Sequence, residues 1–221
     1  MRGWLPVVLL ASFALASPRA RAAELHVQVN DDKGKPVPDA VVTVLAQDPA
    51  SKAAPRRTAP PATRTVDQKN ETFIPYVTTF RPGDKVLFHN GDTMRHHVYT
   101  FSPLKPFEFV LVPGETSRPI PFDQPGVIAV GCNIHDQMIT YLYVSDAPWI
   151  AQTAANGKAV FRDVPAGAWV VRVWHPRLRP GRPDLAQSAT LVAADEAKDL
   201  VFPLSLLPDS RRDFDREHTR Y

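Results

Sequence analysis

The chain has 221 residues, 22% of them charged and 44% hydrophobic, with 23 prolines and a single cysteine. That length holds one or two domains, the prolines exclude long helices, and a lone cysteine excludes an internal disulfide. Arg2, Arg19 and Arg21 supply three of the 26 basic residues and meet no acid in the leading segment, so the remainder is balanced and nucleic-acid binding by bulk charge is excluded.

Met1–Ala23 reads as a secretory leader. Arg2 is the positive start, Trp4–Ala16 the apolar run, and Ala20-Arg21-Ala22 a small-x-small cleavage site. The run is too short to span a bilayer, and no later segment is long and apolar enough to cross one. No cysteine lies near the cut, which excludes a lipoprotein anchor. A soluble, exported, periplasmic-type protein is expected.

Glu24–Ala46 opens the mature chain. Leu25, Val27 and Val29 alternate with His26 and Gln28, the pattern of a half-buried strand with His26 on its polar side. Asp31–Asp39 is a turn by its Gly, Pro and Asp content, and Ala40–Leu45 a second strand. Gln47–Arg64 is rich in Ala, Pro, Lys and Arg without apolar periodicity and reads as a linker.

In Thr65–Asp146 short strands are expected at Thr72–Ile74, Tyr76–Thr79, Lys85–His89, His97–Phe101, Phe107–Val112 and Arg118–Phe122. Turns separate them at Arg81–Asp84, His89–Asp92, Pro113–Glu115 and Asp123–Gly126. Many short strands with regular turns mean a sandwich or barrel. Val127–Val130 and Ile139–Val144 are two more strands, and the loop between them holds Cys132, His135 and Met138. A thiolate, an imidazole and a thioether within one tight turn suit copper. Such a site needs a second imidazole, and His96 and His97 lie upstream within reach of an antiparallel sandwich. In a strand the two point to opposite faces, so only one meets the loop.

Beyond Asp146, strands are expected at Ala159–Arg162, Trp169–Trp174, Ser188–Val192 and Asp199–Leu204. Trp174 and His175 end one of them, either as rim residues or set against the preceding region. Arg177, Arg179 and Arg182 lie in a proline-broken loop. Pro208–Tyr221 is a charge-rich tail with few apolar residues.

Two blocks carry a resemblance. GDKVLFHNGDTMRHHVYTF at Gly83–Phe101 and DQPGVIAVGCNIHDQMITYLYV at Asp123–Val144 resemble the cupredoxins, the blue-copper family of plastocyanin, pseudoazurin and amicyanin. The Cys–His–Met spacing is most similar to the short amicyanin loop, and the wider chain resembles cupredoxin proteins of the methylamine-utilisation type. The family pattern of a His, a polar residue and Val lands on His96, His97 and Val98. The resemblance thus implies one copper ion held by His96, Cys132, His135 and Met138. It implies that His97 stands where the family has Asn and bonds toward Asn133. Asp136 departs from the proline-bearing loop of amicyanin-like relatives, and a carboxylate there favours Cu(II) over Cu(I) by its charge.

NGKAVFRDVPAGAWVVRV at Asn156–Val173, with GKPVPDAV at Gly34–Val41, resembles a carboxypeptidase-regulatory-like, transthyretin-type sandwich. The implied architecture is all-β. A Greek-key cupredoxin sandwich at 65–146 is inserted in or joined to a second small sandwich of 24–46 plus 147–207, with a linker at 47–64 and a tail at 208–221. The expected role is one-electron transfer between redox partner proteins rather than catalysis. The alternatives are copper delivery or storage without redox cycling, and a plain interaction module. Copper oxidases and reductases need further paired histidines, whereas His26, His89, His175 and His218 are scattered.

Overall fold

Apolar residues at every second position make one wet and one dry face, and runs of that kind build most of the described chain. The structure, a computed structural model, describes residues 23–48, 59–181, 184–192, 197–209 and 211. Its strands are β1 (Ala23–Asp31), β2 (Val41–Ala46), β3 (Thr63–Lys69), β4 (Thr72–Ile74), β5 (Val77–Phe80), β6 (Lys85–Asn90), β7 (His96–Thr100), β8 (Phe107–Leu111), β9 (Ile120–Pro121), β10 (Gly126–Cys132), β11 (His135–Val144), β12 (Trp149–Gln152), β13 (Lys158–Val164), β14 (Gly167–Trp174), β15 (Leu185–Leu191) and β16 (Lys198–Leu204). The fold is all-β.

Four sheets face one another in two pairs. The sheets β5-β11-β10-β7-β8 and β4-β3-β6-β9 enclose Phe73, Phe80, Phe88, Ile128 and Leu142, and Cys132 and Met138 belong to the same core. The sheets β13-β1-β16 and β12-β2-β14-β15 enclose Leu25, Val44, Phe161, Trp169 and Phe202. Parallel pairings join β3 with β6, β5 with β11 and β1 with β16.

A smaller apolar cluster joins the two pairs. Val41, Tyr76 and Val77 are buried there with Ile139, Tyr141, Tyr143, Ile150 and Trp174 against them. Trp174 packs on Tyr141 and Tyr143 with ring centroids at 5.9 and 5.2 Å, which seats the end of β14 against β11. Arg211 stacks 3.3 Å above the Tyr76 ring and is held by the Asp209 carboxylate at 2.8 Å.

Some expectations are corrected. The linker ends earlier than Arg64, because β3 begins at Thr63. Its first three residues are exposed and only Val66 and Gln68 are buried, so no apolar alternation announces it; parallel pairing with β6 makes the strand. Ala23, placed in the leader, is buried in β1 opposite Val164. The strand β12 is a further addition, its half-buried Trp149–Gln152 pairing with β2. The strand expected at Arg118–Phe122 shrinks to Ile120–Pro121. The rest of the leader, residues 49–58 of the linker, Arg182 and the tail beyond 211 lie outside the described residues.

His175, set after β14, is buried and accepts a hydrogen bond from the Arg177 amide at its Nδ1, 3.1 Å away. Burial, with the charges of Arg177 and Arg211 added, pushes its pKa down to about 4, against the nearby Asp209 carboxylate and a hydrogen bond to the Pro38 backbone. The unfolded chain binds this proton below about pH 6.5 and the folded chain refuses it. Stability is therefore full above that pH and falls as the pH drops toward 4. The loss expected from this one group between pH 7.5 and 4.5 is about 2–3 kcal/mol. Urea unfolding at the two pH values checks it: His175→Asn should shrink the difference by that amount, and an unchanged difference would assign it elsewhere.

Candidate metal centre

The strands β10 and β11 run as a regular antiparallel pair from Gly126↔Val144 to Gly131↔Ile139. The next pair is Cys132↔His135, closed by the two-residue turn Asn133-Ile134. The jump in register leaves Asp136, Gln137 and Met138 as a bulge. That bulge turns Met138 into the core beside the Cys132 side of the sheet and leaves Asp136 and Gln137 exposed. It also explains why β11 starts at His135, four residues before the apolar run that marks it in the sequence. Gly131 pairs with Tyr99 of β7, and a Cβ there would stand 3.3 Å from the tyrosine ring. The absence of a side chain lets β7 lie close under the cysteine.

The strand β7 alternates, and His96 is its inward residue. Its side chain is 0% exposed, while His97 faces outward. The loop before β7 is built on Asn90, whose Nδ2 donates to the Met94 and Leu111 carbonyls at 2.8 and 2.9 Å and whose Oδ1 accepts from the Asp92 amide at 3.0 Å. These bonds set Asp92 four residues ahead of His96 and against its ring. His96 Nε2 lies 2.7 Å from the Asp92 carboxylate, so the ring's Nδ1 is left free to face the sulfur.

Cys132 Sγ is 3.7 Å from His96 Nδ1 and 3.6 Å from His135 Nδ1. The ligand atoms of all three residues lie within 4.8 Å of one another, and the two imidazole rings are tilted at 58° with centroids 5.0 Å apart. Sulfur and nitrogen bound to one ion at about 2.3 and 2.0 Å and about 120° apart would stand about 3.7 Å from each other. The triangle therefore fits a trigonal metal, and a sulfur–imidazole–imidazole set with a thioether nearby selects copper over harder ions.

Each imidazole has a carboxylate at its far nitrogen. Asp92 serves His96. Glu71 Oε2 stands 3.8 Å from His135 Nε2. Burial alone would raise the Asp92 carboxyl, but hydrogen bonds from the Glu71 amide, His96 and the Asn70 amide outweigh it and hold the group below its ordinary value. Asn133 donates its amide to the His97 carbonyl at 2.9 Å, and its Nδ2 lies 3.4 Å from His97 Nδ1. His97 Nε2 also meets Glu108 at 2.7 Å. Asp92 and Glu71 do not stand out in the sequence. Asp92 lies inside an Asn-Gly-Asp turn, and its spacing of four from His96 is the one available signal. Glu71 sits in a different hairpin and gives none.

No family model and no curated protein matches the chain. Among solved structures it is similar to the Cu-containing nitrite reductase (NirK) from Thermus scotoductus SA-01, at 28% identity over 43% of this chain and 24% of that one, TM-score 0.33. It is also similar to a purple cupredoxin from Nitrosopumilus maritimus, at 17% identity over 37% of this chain and 98% of that one, TM-score 0.33. Amicyanin from Paracoccus versutus is matched at 18% identity over 47% of this chain and 98% of that one, TM-score 0.33. The chain thus spans about a quarter of the reductase and nearly all of the two smaller proteins. At these TM-scores none of the likenesses assigns a function, and the ligand geometry is what speaks to it.

Proposed function

We propose that this chain is an exported one-electron carrier holding one copper ion at His96, Cys132, His135 and Met138. The observation that carries the reading is the closed triangle of two imidazole nitrogens and one thiol sulfur inside a sandwich wall. When bound there, copper supplies a one-electron couple between its two oxidation states. The chain's own residues do the rest. The sandwich excludes water from Cys132 and His96, both buried. Three of the four ligands come from one strand pair, Cys132 and His135 as a paired position of its ladder and Met138 from the bulge beside them, buried in the core, so little rearrangement accompanies a change of charge. His135 alone brings a ring edge to the surface, with 17% of its side chain exposed, and Ile134 and Met94 beside the ligands in sequence are exposed and apolar. That edge is the natural contact for a redox partner protein.

Copper delivery is the weaker reading, since a hand-off needs ligands that an acceptor can reach and two of these are buried. Turnover of a substrate is not part of the proposal. The other described histidines are taken up elsewhere: His26 with Glu24, His89 with Asp67, His97 with Glu108, and His175 with the Arg177 amide. Export rests on the composition of the first 23 residues. Among the described residues no helix is long and apolar enough to cross a membrane. The sandwich of β1, β2 and β12–β16 we read as a carboxypeptidase-regulatory-like support, split in sequence by the copper sandwich.

The test is to load the purified chain with Cu(II). An intense visible absorption from thiolate-to-copper charge transfer, bleached by reductant and restored by oxidant, is expected. A colourless product binding only Cu(I) would refute electron transfer. The two imidazoles should also differ. His135→Gly opens a gap to water, and millimolar imidazole should refill it and restore the absorption. His96→Gly opens a gap sealed from water, since the His96 side chain is 0% exposed, and imidazole should restore nothing. Equal rescue of both variants, followed by absorbance titration, would contradict the burial difference.

A further inference from the structure

The turn between β3 and β4 is Asn70-Glu71, and both residues have positive φ, +53° and +54°. Asparagine takes positive φ readily in a two-residue hairpin turn but glutamate does not, so at Glu71 the left-handed backbone is held by its surroundings. What holds it is Asp92. The Asn70 amide donates to Asp92 Oδ1 at 2.5 Å and the Glu71 amide to Asp92 Oδ2 at 3.0 Å. The same Oδ2 receives His96 Nε2 at 2.7 Å, while the Glu71 side chain approaches His135 Nε2 at 3.8 Å. One hairpin tip therefore stands behind both imidazoles, behind His96 through the Asp92 carboxylate that its amides hold and behind His135 through its own Glu71 carboxylate.

Resting on the copper reading above, we propose that Asn70-Glu71 and Asp92 form an outer clamp that fixes the tautomer of His96, restrains His135, and biases the centre toward the divalent ion. A carboxylate behind a ligating histidine sets the ring's orientation and raises its basicity. Asp92 is a carboxylate with three donors on it, in a wall with little water, so its charge acts at close range and weakly screened. Glu71 is partly exposed and lacks a hydrogen bond to His135, so its share is smaller. These are positioning residues; neither touches the ion. Their negative charge stabilises the more positive oxidation state and so lowers the midpoint potential.

The experiment has two arms. The first needs no metal: long-range nitrogen–proton NMR on the metal-free full chain reports which ring nitrogen of His96 carries the proton. The wild type should show the Nε2–H form alone, Asp92→Asn should keep it through the remaining oxygen, and Asp92→Ala should mix the tautomers. An unmixed ring in Asp92→Ala overturns the clamp whether or not copper binds. The second arm is a redox titration of the copper-loaded chain. Asp92→Asn should shift the preference between Cu(II) and Cu(I) at least tenfold toward Cu(I), a rise of about 59 mV for one electron. Glu71→Gln, which leaves the turn's amides in place, should shift it in the same direction by about threefold. Shifts below twofold in both variants, or a fall in potential, overturn the bias. A wild-type chain that takes up no copper refutes the electron-carrier reading instead, and the tautomer arm still decides the clamp.

Discussion

Cys132→Ser should abolish the visible absorption of the copper-loaded chain and weaken copper retention by at least about a hundredfold, while the chain stays folded. Serine has nearly the volume of cysteine, so the packing of β10 against β7 and β11 survives. Its hydroxyl does not ionise near neutral pH and is a hard donor, whereas soft thiolate is what selects copper at a mixed site. Burying the new hydroxyl costs about 1–2 kcal/mol unless His96 or His135 accepts its proton. Spectra and competition with a chelator, with circular dichroism to confirm the fold, measure all three effects. A serine variant that kept the colour would remove Cys132 from the site and the proposed function with it.

Phe88→Ala should be the most destabilising single truncation in the copper sandwich. Phe88 is 0% exposed at the middle of β6. Its ring lies 6.0 Å from Phe73, 5.7 Å from Phe107 and 5.8 Å from Phe109, so it ties β4, β6 and β8 across the core. Deleting such a ring removes its transfer free energy and leaves a cavity that a close-packed sheet pair only partly closes, about 3–5 kcal/mol. For a chain of this size that is about 10 °C in Tm. The same strand ends at Asn90, which organises the loop carrying Asp92, so copper release on heating should move with the transition. A shift below about 3 °C would show that the aromatic cluster is not what holds the two sheets together.

Much of the fold was legible in the residue order because its strands are half buried. Leu25, Val27 and Val29 on β1, or Val86 and Phe88 on β6, alternate with polar neighbours and read directly as one face. Where burial does not follow apolar alternation, the residue order is silent. The strand β3 buries a valine and a glutamine, and β12 is half buried throughout. Both exist because neighbouring strands offer a ladder, and such pairing leaves no trace in local composition. The bulge at Asp136–Met138 is similar: turn and strand propensity locate the hairpin, but its register comes from β7 and β5 on either side.

The donor types and the spacing of Cys132, His135 and Met138 are local, set within seven residues of one hairpin, and so the residue order alone determines them. The orientation of β7 is not local. Alternation says that His96 and His97 point opposite ways, and the family resemblance favours His96; the packing of its sheet against β4-β3-β6-β9 is what buries His96 and leaves His97 to Glu108 and Asn133. Asp92 in the β6–β7 connection and Glu71 in the β3–β4 hairpin meet behind the imidazoles because β3 and β6 lie parallel in one sheet. Periodicity reports a side chain's face relative to its own strand, whereas the partners across a core depend on pairings over long sequence distances, which a short-range pattern does not encode.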